Sequence, residues 1–160
     1  MWVLRWGVSL VAVVVLTHAV SAQMPNPYGA AIALEPAMKA AAGAATEARK
    51  NNWTMAIAIV DPAGDLVYFQ KADGTQTGSV AVAIAKARSA ALFKRPTKAF
   101  QETLAGGGDG LRVLSLPGAV PVEGGVPIVV NGQIVGAVGV SGGTAQQDGQ
   151  CAQAGAASVK

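Results

Sequence analysis

Three observations predict an α+β domain built on a mainly antiparallel sheet. Two apolar runs lie at hairpin distance between residues 55 and 71; a second pair, between 126 and 140, is joined by Asn131-Gly132; and alanine-rich helical segments stand before, between and after them. No internal repeat interrupts this plan.

Residues 23–33, with Pro25, Pro27 and Gly29, read as an extended leader. From Pro36 to about Lys50, alanines at 37, 41, 44, 45 and 48 give a thin face that lets a helix lie close to a sheet. Glu35 and Pro36 suit its first turn, Arg49 and Lys50 its last, and Asn51 and Asn52 end it. Met55 to Val60 is a continuous apolar run of the kind covered on both faces of a sheet. Asp61-Pro62-Ala63-Gly64-Asp65 makes a turn, and Leu66 to Lys71 then pairs antiparallel with the first strand.

Beyond a polar loop after Gly74, Ser79 opens a second helix, with Val80, Ile84, Ala87 and Ala91 at helical spacing. It runs to about Lys94 and is stopped by Pro96, after which Thr97 caps a short helix through Leu104. Gly106, Gly107, Gly108 and Gly110 predict a mobile loop. Asn131-Gly132 is the pair preferred in a tight type I′ hairpin. On the strand that follows, Ile134, Gly136, Val138 and Val140 share one face, and Val135, Ala137 and Gly139 the other. Glycines there call for a closely packed helix or for a ligand near the backbone. Thr144 to Ala157 reads as a last helix, interrupted by Gly149 and Gly155.

The first 22 residues have the zones of a secretory signal: Arg5, an apolar run from Val8 to Leu16, and a small-residue end at Val20, Ser21 and Ala22. The apolar run falls short of the about 20 residues that span a membrane, and no cysteine near the junction offers a lipid anchor. The expectation is a periplasmic or secreted protein with no stable membrane anchor after cleavage. Residues 23–160 then form the leader and one domain, 34–160.

Cleavage leaves 11 basic residues against 9 acidic ones. That balance, with Lys94, Arg95 and Lys98 the only basic cluster, argues against nucleic acid. It also removes His18, the only histidine, and with it Ser/His/Asp triads, Cys/His pairs and His-rich metal sites; no metal site is expected. The single cysteine, Cys151, cannot form an intrachain disulfide.

Four segments carry a family resemblance: Ile59-Val60-Asp61-Pro62-Ala63-Gly64, Lys86-Ala87-Arg88-Ser89-Ala90, Gly124-Gly125-Val126-Pro127-Ile128, and Val135 to Gly142, with Asp148 at the usual interval. The sequence resembles the GlcG/HbpS family of haem-binding-like proteins, also seen as the C-terminal domain of PduO proteins. That resemblance implies a profilin-like sheet of about five strands flanked by helices, assembly into homo-oligomers, and haem binding in some members. Lys71-Ala72-Asp73-Gly74 stands where relatives tend to carry Arg-x-Asp-Gly, which keeps a charge and loses a bidentate fork. Haem held through imidazole would have no ligand here.

Candidate ligand-binding residues are Asp61, Lys71, Lys86, Arg88, Gly124, Gly125 and Pro127. Asp61 either accepts turn amides or acts as a catalytic carboxylate. Lys86 and Arg88 form surface or inter-subunit salt bridges, or meet a haem propionate or substrate carboxylate; their spacing puts them on different sides of a helix. Gly124, Gly125 and Pro127 shape a strand entry whose bare backbone lines a pocket or a subunit contact. The Gly136-x-x-Gly139-x-x-Gly142 spacing sits within a hairpin strand and is no nucleotide loop. Candidate axial ligands are Tyr28 and Met38, with Met55 and Cys151 qualifying by chemistry alone. The reading is an exported small-ligand binder, for haem or a related tetrapyrrole, more than an enzyme. The alternatives are an enzyme or accessory protein acting on a small hydroxy or keto acid, and an assembly module without a ligand.

Overall fold

The computed structural model describes residues 25–159, so the signal-like segment and His18 lie outside the described residues. The elements follow in order: α1 (Leu34–Lys50), β1 (Ala56–Val60), β2 (Leu66–Lys71), α2 (Ser79–Leu92), α3 (Thr97–Ala105), a 3-10 helix (Gly108–Ser115), β3 (Gly125–Val130), β4 (Gln133–Ser141) and α4 (Ala145–Ala157). The strands form one antiparallel sheet in the order β2-β1-β4-β3. The α+β class is as the sequence predicts.

The sheet has four strands rather than about five. The leader supplies what resembles a fifth: Tyr28 forms an isolated parallel bridge to Ile134, and Gly29 and Ile32 donate to the Ile134 and Val135 carbonyls. It occupies the place beside the start of β4 that β1, paired only with Ala137 to Ser141, leaves free.

Strand alternation assigns the two faces. Ile57, Ile59, Val138 and Val140 point towards α1 and α4, where they meet Ala37, Ala40, Ala41 and Ala44 of α1 and Cys151 and Ala152 of α4. Ala56, Ala58, Val60 and Ala137 point the other way, against Ala83, Ala87, Ala90 and Ala91 of α2. Small residues on both sides let α2 sit close to the sheet. Gly139 completes that seam, because a Cβ there would strike the Ala83 carbonyl and the Ala87 amide. A packed helix thus explains this glycine.

The Asn131-Gly132 turn has φ of 49° and 75°, the left-handed pair that a type I′ hairpin requires. Two expectations are corrected. The glycine cluster after α3 is no structureless loop: Gly108–Ser115 winds as a 3-10 helix anchored by buried Val113. The glycines of α4 do not interrupt it. Gly155 lets α1 approach, since a Cβ would press on the Ala40 carbonyl, and Thr144 with Gln147 forms a capping box at the start. No helix among the described residues is long and apolar enough to cross a membrane.

Candidate functional site

Two places gather polar chemistry, and they lie apart. The first is a buried charge cluster at the end of β4. Lys86 of α2 and Asp148 of α4 approach from opposite faces of the sheet and meet at 2.7 Å, with side chains 1% and 4% exposed. The ammonium also donates to the Val140 carbonyl at 3.2 Å, and the other carboxylate oxygen accepts the Gly143 amide at 3.0 Å. Burial pushes the Asp148 carboxyl above its ordinary value, against the pull of Lys86 and of the Gly143 and Gly142 amides.

This corrects the reading of Lys86 as a surface or inter-subunit cation: its partner is internal, and it staples the two helical layers around the sheet. Gly124 and Gly125 are bare because the staple needs room. A Cβ on Gly124 would lie 2.8 Å from the Lys86 ammonium nitrogen, and one on Gly125 would strike the Lys86 carbonyl. The Gly125 amide donates to buried Thr97 at 2.9 Å. Next to it Glu123, also buried, accepts from Lys98 at 3.3 Å, which together with Glu102 holds the Lys98 ammonium above its ordinary value.

The second place is a groove of about 260 Å³ between the last turn of α1 and the β1–β2 hairpin. Ala45, Ala48, Met55 and Ile57 make an apolar floor, Trp53 stands at one end, and Arg49, Gln70 and Lys71 supply polar groups at the rim. Arg49 and Lys71 are exposed and come from opposite walls. Of the residues singled out in the sequence, Lys71 alone among the ligand-binding candidates lies here, joined by Met55.

The remaining candidates are dispersed. Asp61 accepts the Ala63 and Asp65 amides, both at 2.9 Å, as a turn residue does. Arg88 is exposed, its stem 3.6 Å from where a Gly64 Cβ would stand, and it makes no ion pair among the described residues. Pro127 sits on the outer strand β3, where a missing N–H costs nothing. The Tyr28 hydroxyl donates to the Ala91 and Leu92 carbonyls at 2.9 and 3.1 Å, capping α2, and the Lys94 ammonium lies 4.1 Å from its ring centre. Met38 is exposed on α1. Cys151 is buried, and burial, then Glu47 and Asp148, pushes its thiol up to about 12.

Residues 32–157 match the family model described as "Haem degrading protein HbpS-like". The chain belongs to this HbpS-like family. It is 42% identical over 95 residues to protein GlcG of Escherichia coli strain K12, covering 59% of this chain and 69% of GlcG. A double mutant of Streptomyces reticuli HbpS superposes with a TM-score of 0.75 at 28% identity, over 94% of this chain and 99% of that one. A PduOC–haem complex superposes with a TM-score of 0.72 at 23% identity, over 81% and 96%, which is a likeness of fold. The segments that carried the resemblance converge on the Lys86–Asp148 staple: Lys86 itself, Gly124-Gly125, the end of β4, and Asp148.

Sequence reasoning missed Arg49, Trp53 and Gln70, which only the fold brings beside Lys71. Arg49 registered as a helix-end cation, and nothing in its neighbourhood distinguishes it from one.

Proposed function

We propose that this protein binds haem or a related flat, acidic tetrapyrrole without a histidine ligand, in the groove between α1 and the β1–β2 hairpin. The observation that carries the reading is the composition of that groove: an apolar floor and an indole, with two cations on opposite walls. A macrocycle buries apolar area on such a floor, and its propionates suit Arg49 and Lys71. Support comes from the family's description and from PduOC, a protein of the same fold whose structure contains haem. The signal-like first 22 residues support a place of action outside the cytoplasm.

Haemin titration tests the reading. Trp53 is the only tryptophan beyond residue 22 and lines the groove, so uptake should quench its emission as the Soret band sharpens. Arg49→Ala with Lys71→Ala should weaken uptake, and a featureless Soret band with unchanged Trp53 emission would defeat the proposal. The volume of the groove favours a second reading, a small hydroxy or keto acid held by the same cations. Thermal-shift screening with such acids separates the two, because a ligand that binds only the folded state raises its melting temperature.

A further inference from the structure

The groove is smaller than the ligand it is read to hold. It encloses about 260 Å³, whereas sites that bury most of a drug-sized molecule occupy about 300–1,000 Å³, and haem is larger than most drugs. One chain therefore covers only part of such a ligand.

What adjoins the groove indicates what covers the rest. β2 is an outer strand of the sheet, so its outward N–H and C=O groups lack a strand partner and form a template for another strand. It carries no proline. A bulge at Val67, where the register with β1 slips, confines regular pairing to Tyr68-Phe69-Gln70-Lys71. A two-fold axis perpendicular to the sheet that pairs this stretch antiparallel with itself keeps the α1 face of both copies on the same side. The two grooves then meet across the axis. β2 and its copy form one floor, and the last turns of the two α1 helices form facing walls, each with its Arg49. This is a self-complementary contact of the kind closed dimers use.

We propose that two copies of this chain pair along β2 and hold one tetrapyrrole between them. The proposal rests on the haem-binding reading and adds the partner that completes the site. The decisive experiment measures the sedimentation mass of the purified protein with and without haemin, alongside the saturation point of a haemin titration. A dimer saturating at one haemin per two chains is expected.

Gln70→Lys sharpens the test. Near the axis it sets like charges against each other, so pairing should fail and haemin affinity drop at least about tenfold, although each groove has gained a cation. Gln70→Ala, which adds no charge, should keep the dimer and its stoichiometry and so separates lost pairing from lost folding. A monomer saturating at one haemin per chain, or Gln70→Lys with undiminished affinity, overturns the shared site and leaves haem binding in place. Failure to take up haemin in any assembly state overturns the haem-binding reading, and the shared site with it.

Discussion

Replacing Lys86 by methionine should be among the most damaging single changes outside the apolar core. The substitution keeps most of the side chain's volume and removes the counter-charge of a carboxylate whose side chain is 4% exposed. Breaking a buried pair from one side costs about 3–5 kcal/mol, because the other charge is left without compensation. Against a total stability of about 5–15 kcal/mol, that is a third or more. The loss should depend on pH in a defined sense. Burial already raises the Asp148 carboxyl above 3.8, so its contribution is complete below that value and is lost as pH rises through the folded-state value. Without Lys86 the carboxyl rises further, so the gap between variant and parent should be smallest at acid pH and widest at neutral pH. Urea unfolding followed by Trp53 emission, at one protein concentration, measures it. Adding Asp148→Asn should return about 2–3 kcal/mol at neutral pH, since the amide removes the stranded charge and keeps an acceptor for Gly143. A loss that is flat from pH 4 to 8, or a double variant no better than Lys86→Met, would refute the electrostatic account.

Other expectations follow from the same structure. The Cys151 thiol, pushed up to about 12, should resist alkylation in the folded protein and react promptly in urea. Because that value is raised, stability should be unaffected by Cys151 below its ordinary value of 9.0 and should fall as pH climbs from there to about 12. Denaturation midpoints of Cys151→Ala over that range provide the check. Gly139→Ala should cost at least about 1–3 kcal/mol in a melting experiment, since a Cβ there collides with the backbone of α2. Thr144→Ala removes one arm of the α4 capping box and should cost about 0.5–2 kcal/mol. Arg49→Lys should weaken haemin uptake less than Arg49→Ala, because charge survives while the bidentate fork is lost.

The fold was legible wherever local chemistry decides it. The Asn131-Gly132 hairpin, the alanine face of α1 and the turn built on Asp61 each follow from residues within a few positions of one another. What was not legible depends on partners far along the chain. Gly149 and Gly155 look like breaks in α4 because their cause is elsewhere: Gly149 stands against the Glu123 side chain and Gly155 against α1. Lys86 looks like a surface cation for the same reason, since Asp148 lies 62 residues away. The glycines after α3 gave a false signal. Positive φ at Gly107 and Gly108 turns the chain, and Val113 then fixes a 3-10 helix that composition alone would not foretell.

The separation of the staple from the groove bears on how function is carried in this domain. Lys86, Asp148, Gly124, Gly125 and Gly139 are occupied in joining the two helical layers across the sheet, and none of them lines the groove. The groove instead draws on Arg49, Trp53, Gln70 and Lys71, from the last turn of α1, the connection after it and an outer strand, where a substitution disturbs little packing. A chain arranged this way can keep its fold while its ligand changes, because the residues that set ligand chemistry are not those that hold the layers together. Exchanging Arg49 and Lys71 for glutamates should therefore abolish uptake of an acidic ligand and leave the urea midpoint within about 1 kcal/mol of the parent, as for exposed charges elsewhere. A large loss of stability from that exchange would show that groove and scaffold are coupled after all.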